Sequence, residues 1–149
     1  MTLGLGPAVG EVNPADAWEL LKTEPGAQLI DVRTAAEWSF VGVPDLTDLG
    51  KTLCCVEWAQ YPDMSKNPRF AAQVIDELEG EVFGPLLFIC RSGARSLRAA
   101  EAVSEAMSAA GKELVCLNVA EGFEGDLDPQ SHRGAVNGWK TRGLAWRQS

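Results

Sequence analysis

Four short apolar runs, at residues 28–32, 52–56, 85–89 and 113–117, are separated by stretches that carry helix signals. This alternation is the strongest constraint on the fold. Strands that alternate with helices pair in parallel, and each crossover lays a helix on one face of the sheet. The expected class is α/β, with a central parallel sheet of about five strands and helices on both faces. The helix starts are written in local chemistry. Asn13-Pro14 offers a capping side chain and then a proline where no N–H is needed. Thr34 and Glu37 have capping-box spacing, and Gly42 and Pro44 end that helix. Asn67-Pro68 repeats the first pattern, with Phe70, Val74, Ile75 and Leu78 leading to a stop at Gly80. A helix opening at Ser96 places Leu97, Ala100, Val103, Met107 and Ala110 on one face and stops at Gly111. The tail from Asp126 is rich in glycine, with Trp139 and Trp146 as packing anchors. At 149 residues the chain is read as one domain with its core at about 12–146.

In parallel sheets ligands gather at the carboxyl ends of strands, and Cys90 follows the third apolar run directly. The segment is Cys90-Arg91-Ser92-Gly93-Ala94-Arg95-Ser96, between strand and helix. A helix N-terminus supplies unpaired N–H groups and partial positive charge. Gly93 frees the turn to aim further amides inward as an anion cradle. Arg91, Arg95 and Arg98 add positive charge nearby. Each factor favours thiolate over thiol, so the expected sulfur is nucleophilic at neutral pH and sits beside an oxyanion site. A buried structural cysteine in a turn is the plain alternative, and the three arginines weigh against it.

Charge excludes other classes. There are 13 Lys+Arg against 21 Asp+Glu, a net charge of −8, which disfavours phosphate-backbone binding. Nucleic acid is therefore not an expected partner. The last acid is Asp128, and Arg133, Lys140, Arg142 and Arg147 follow it. These four join the positive island at Cys90 only if the fold brings residues 129–149 to the loop. No run approaches the roughly 20 apolar residues of a membrane span, and the first seven residues carry no secretory pattern. Cys54, Cys55, Cys90 and Cys116 have neither zinc-site nor disulfide spacing, so no metal is expected and the thiols read as reduced, in a cytoplasmic protein.

Two motifs together resemble the single-domain rhodaneses, a family of sulfurtransferases. One is Asp31-Val32-Arg33 with Glu37-Trp38 and then Gly42 and Pro44; the other is the loop from Cys90 to Ser96. The resemblance implies that Cys90 carries the transferred sulfur as a persulfide. It implies that the amides of Arg91, Ser92, Gly93, Ala94 and Arg95 hold it, with Arg95 meeting the sulfonate of a thiosulfate-like donor. Asp31, Arg33 and Glu37 are implied as structural, tying the first strand and helix together. The implied partners are a small anionic sulfur donor and a thiol or cyanide acceptor, a protein acceptor included, with no cofactor. The family often has Gly-His-Ile-Pro after the first motif, where this chain has Val41-Gly42-Val43-Pro44.

The nearest rival class is a cysteine phosphatase or arsenate reductase. Those loops hold five residues between cysteine and arginine; here four separate Cys90 from Arg95, and Ile89 stands where the phosphatase motif has histidine. A tighter ring suits one sulfane sulfur better than a tetrahedral phosphoryl group. A non-catalytic rhodanese-like binding module is the second alternative, usual where the loop cysteine is missing. His132 is the lone histidine and lies far along the chain, so a structural role is expected. Cys54, Cys55 and Cys116 are read as core or surface thiols. Glu121, Glu124, Asp126 and Asp128 are read as a solvated acidic turn, since they lack calcium-loop spacing.

Overall fold

The computed structural model describes residues 9–78 and 84–148. Its centre is a five-stranded parallel sheet in the order β1-β8-β7-β2-β4. The strands are β1 (Gly10–Val12), β2 (Gln28–Asp31), β4 (Cys54–Cys55), β7 (Leu86–Ile89) and β8 (Cys116–Val119). Small two-stranded ribbons complete the sheet structure: β3 (Val43–Pro44) with β9 (Trp146–Arg147), and β5 (Ala59–Gln60) with β6 (Ser65–Lys66). The helices are α1 (Pro14–Thr23), α2 (Ala35–Phe40), α3 (Phe70–Glu77) and α4 (Ala94–Ala109).

Side-chain alternation along the strands sorts the core into two layers. Ile30, Leu86, Phe88 and Cys90 face α3 and α4, against Phe70, Val74, Ala99, Ala100 and Val103. Leu29, Leu87 and Ile89 face the other way, against Ala17 and Leu21 of α1 and against Phe123 and Trp139. The tail thus does a helix's work on the second face. Trp139 is fully buried and meets Trp18 edge-on at 5.9 Å. Burying one such side chain is worth about 3 kcal/mol.

Several local expectations shift. Asn13 caps α1 by accepting from the Asp16 N–H at 2.8 Å. Asn67 does not repeat this: its amide donates to the Glu57 carbonyl and to Gln73, and α3 begins only at Phe70, with Arg69 at its cap. The expected stop at Gly80 lies outside the described residues. β1 had no apolar run to announce it. β8 runs from Cys116 to Val119 rather than over 113–117, because Leu86 pairs in register with Cys116 and leaves Val115 exposed. Helix α4 starts at Ala94, two residues before Ser96, and buries Ser96, Ala99, Ala100, Val103, Ser104 and Met107. Leu97 is 40% exposed and Ala110 is also outside the core. Small residues at 96, 99 and 100 let α4 approach β7 closely, which rotates the buried stripe away from both. Among the described residues no helix is long and apolar enough to cross a membrane.

Candidate active site

Cys90 leaves β7 on the α3/α4 face and is only 1% exposed. The chain turns at once, with Gly93 at φ +115° as the cap of α4. A side chain is strained in that conformation, which accounts for glycine there. The turn aims the Gly93 N–H at the Cys90 sulfur, 3.1 Å away. The hydroxyl of Ser96, fully buried in the first turn of α4, stands 3.2 Å from the same sulfur. Both are donors suited to negative charge on sulfur, at the N-terminal end of a 16-residue helix.

Further contacts come from β8. Asn118 is buried, its Oδ1 lies 2.5 Å from Ser96 Oγ and its Nδ2 donates to the Gly93 carbonyl at 3.1 Å. Sulfur, Gly93, Asn118 and Ser96 therefore close a ring of polar contacts. A hydroxyl carries one proton, so Ser96 serves either Asn118 or the sulfur at a given moment. The chain after β8 then clamps the loop from outside. The N–H of Phe123 donates to the Cys90 carbonyl at 2.8 Å, and those of Glu124 and Gly125 donate to the Arg91 carbonyl. Gly122 makes this approach possible: a Cβ there would lie 2.5 Å from the Arg91 carbonyl group and 2.6 Å from the Cys90 oxygen. Sequence reasoning missed Asn118 and Gly122. The polar residue inside an apolar strand and the glycine just past it were the available signals.

The remaining motif residues divide between two sites. Asp31 and Arg33 are both fully buried and form a bidentate pair, closest at 2.6 Å, while Arg33 Nη2 also donates to the Gly42 carbonyl at 2.8 Å. Its guanidinium lies 4.3 Å from the Phe123 ring centroid. This pair ties the end of β2 to the entry of β3, beneath the clamp. Glu37 makes the capping box with Thr34, as its spacing predicts, and reaches further. It holds Arg95 in a two-pronged pair at 2.8 and 2.9 Å. Burial works to raise the Glu37 carboxyl, but the hydrogen bonds and charge of Arg95, with the contacts from Thr34, outweigh it and bring it from 4.5 down to about 2. The same Glu37 hydrogen bonds raise Arg95 above its usual range. Glu37 thus ties α2 to the cysteine loop, and both terminal nitrogens of Arg95 are already engaged.

A pocket of about 490 Å³ opens over the loop, lined by Arg91, Arg95 and Glu37 and, from the tail, by Arg133. Arg133 donates to the Gly125 carbonyl at 2.7 Å. Among the described residues, Arg133 is the tail cation that lines this pocket. Arg142 pairs with Glu121 at 2.6 Å, Lys140 lies 3.9 Å from the Trp146 ring centroid, and Arg147 lines a separate pocket beside Trp38. Arg98 is exposed on α4 and does not line the pocket over the loop. His132 is exposed, and the hydrogen bonds it makes to Asp128 run through its backbone. Glu121 is not free in solvent, since it holds both Arg142 and the Gly138 N–H. Burial pushes the Cys54 thiol up to about 12 and the Cys116 thiol up to about 11. Among the described residues no three His, Cys, Asp or Glu side chains are gathered as metal ligands would be.

No family model matches the chain. Among curated proteins it is 31% identical to the uncharacterized protein RC0915 of Rickettsia conorii over 140 residues, covering 94% of this chain and 98% of that one. Among solved structures it is 45% identical to Rv0390 of M. tuberculosis, with a TM-score of 0.78 over 95% of this chain and 98% of that one. More distant likenesses are to the polysulfide-sulfur transferase homodimer of Wolinella succinogenes (19% identity, TM-score 0.55, 95% of this chain and 80% of that one) and the As-Sb reductase of Leishmania major (16%, 0.55, 85% and 92%). At those identities only the fold is shared. The sheet order, the cysteine loop at its carboxyl edge and the likeness to these neighbours agree: the chain belongs to the rhodanese-like family.

Proposed function

We propose that the protein is a sulfurtransferase that moves a sulfane sulfur through a persulfide on Cys90. The observation that carries this reading is the pair of donors at the sulfur, Gly93 N–H at 3.1 Å and Ser96 hydroxyl at 3.2 Å, inside a loop with only four residues between Cys90 and Arg95. Cys90 thiolate attacks the outer sulfur of a thiosulfate-like donor. The bond from that sulfur to the sulfonate breaks, and sulfite leaves with the electron pair. Cys90 then holds one added sulfur, whose negative charge faces the loop amides of residues 91–95. A thiophilic acceptor, cyanide or a thiol, attacks the outer sulfur and releases the Cys90 thiolate. The cycle is covalent and ping-pong and draws on this chain's own groups.

Arg95 enters this scheme already paired with Glu37. Its role is to hold positive charge in a fixed place at the loop rather than to swing onto the donor. Sulfonate contact falls first to Arg91, which makes no ion pair among the described residues. Incubation with thiosulfate should add one sulfur mass to the peptide containing Cys90, and cyanide should remove it with release of thiocyanate. Absence of that adduct, or turnover of an aryl phosphate or arsenate in its place, would overturn the assignment.

A further inference from the structure

The Cys90 sulfur and the Asn118 carbonyl oxygen compete for one hydroxyl proton, that of Ser96. Asn118 stands on β8 in register with Phe88, two positions before Cys90. Its amide fits one orientation only. Nδ2 meets the Gly93 carbonyl at 3.1 Å, and exchanging the two ends would set two acceptor oxygens against each other there. Oδ1 therefore faces Ser96. Two oxygens 2.5 Å apart need a proton between them, so the Ser96 hydroxyl donates to Asn118 in this arrangement. Ser96 Oγ then turns lone pairs, not its proton, toward the sulfur 3.2 Å away. Ser96 is fully buried and Asn118 is 3% exposed, and Oδ1 makes no other hydrogen bond among the described residues.

We propose that Asn118 is a positioning residue that favours the sulfur-loaded enzyme, by taking the Ser96 proton whenever the Cys90 sulfur is bonded to a second sulfur. This rests on the sulfurtransferase reading and adds a bias to its cycle. In the persulfide the Cys90 sulfur has two covalent bonds and no charge, so Ser96 bonds Asn118, as in the structure. In the emptied enzyme the charge returns to the Cys90 sulfur and draws the Ser96 proton back. Asn118 Oδ1 is then a buried acceptor without a donor, which costs free energy. Emptying is penalised and loading is favoured. The step balances. With thiosulfate, a bond forms between Cys90 Sγ and the outer sulfur, the S–S bond of thiosulfate breaks, and sulfite leaves with the electron pair. The Ser96 proton changes acceptor, and no proton enters or leaves.

Mixtures of thiosulfate and sulfite provide the test on the full chain. Intact mass reads the fraction carrying one added sulfur at each ratio. Asn118→Ala should need about a tenfold higher thiosulfate-to-sulfite ratio for half loading, about 1.4 kcal/mol. Asn118→Leu fills the space without an oxygen, should behave alike, and serves if the smaller side chain unfolds the protein. Asn118→Asp keeps an acceptor oxygen for Ser96 and should stay within about threefold of the unaltered chain. The deciding measurement is made in a Ser96→Ala background. There Oδ1 lacks the hydroxyl in both states, so adding Asn118→Ala or Asn118→Leu should move half loading by about twofold or less. A general loosening of the loop would move it in both backgrounds. Half loading that neither substitution shifts, or that shifts equally with and without Ser96, would overturn the proposal, while loading of the unaltered chain keeps the sulfurtransferase reading intact. Absence of loading at every ratio would overturn both.

Discussion

Cys55 and Cys90 both stand at the carboxyl edge of the same parallel sheet. Cys55 ends β4, in register with Asp31 of β2; Cys90 follows β7, whose last residue Ile89 is in register with that same Asp31. Their surroundings are opposite. Desolvation and the Asp31 carboxylate push the Cys55 thiol up to about 12, although the residue is exposed at the sheet edge. Cys90 is buried yet accepts the Gly93 N–H and has the Ser96 hydroxyl within hydrogen-bond reach. Exposure therefore does not rank these thiols. What separates them is the turn that follows: after β4 the chain continues into Val56 and Glu57, and after β7 it folds amides back onto the sulfur and enters a helix.

The comparison can be broken at several points. The largest effect belongs to replacement of the thiols themselves. Cys90→Ser should lower thiocyanate formation by about a thousandfold or more, whereas Cys55→Ser should retain it. Equal losses would mean that both strand ends act. Next comes chemical labelling. With its thiol pushed up to about 12, Cys55 is far less ionised at pH 8 than an ordinary thiol. Peptide mapping after brief iodoacetamide treatment should find Cys90 labelled first despite its burial. Prior labelling of exposed Cys55 would contradict the contrast.

Smaller effects come from the groups around Cys90. Ser96→Ala removes one of two donors and should cost about tenfold in the rate of persulfide formation. Asn118→Ala should cost somewhat less in rate, but about 1–2 kcal/mol in stability, since it takes away the Ser96 hydroxyl's acceptor and one of the two donors to the Gly93 carbonyl. A thermal melt beside the rate assay separates the two. The mildest prediction concerns acid. The Glu37 carboxyl lies at about 2 in the fold against 4.5 unpaired, so its ionised form stabilises the fold above pH 4.5, and that contribution fades as pH falls from 4.5 toward 2. Glu37→Gln should cost about 1–2 kcal/mol at pH 7 after solvent screening and flatten the stability profile over that window. An unchanged acid limb in denaturant titrations would remove Arg95–Glu37 from the account.

The features legible in the sequence were the local ones. Cys90, Gly93 and Ser96 are near neighbours, so a strand-to-helix loop announced itself, and the Thr34–Glu37 spacing encoded a cap that forms as read. The sheet class followed from alternation alone. Long-range partners stayed hidden because their pairing is decided by packing. Glu37 gave no sign that it would cross 58 positions to hold Arg95, and Arg133 gave none that it would leave the other tail cations for the pocket. The apolar run at 113–117 stops one residue short of Asn118, the buried brace of the loop. Identical dipeptides also part company. Asn13 caps its helix and Asn67 does not: the Asn67 Oδ1 accepts from the Arg69 N–H, two residues on and still outside α3, while its amide donates to the Glu57 carbonyl and to Gln73.

The backbone of Gly122 pressed against Cys90 and Arg91 has a consequence for protein engineering. The seven residues from Cys90 to Ser96 do not carry their shape alone; the N–H groups of residues 123–125, some thirty positions later, hold the Cys90 and Arg91 carbonyls in place. A synthetic peptide of the loop, or a graft of those seven residues into another strand-to-helix turn, would lack its mould and should not hold the Gly93 N–H against its sulfur. Transplanting this geometry requires moving two chain segments together, 86–100 and 116–125, with their spacing across the sheet preserved.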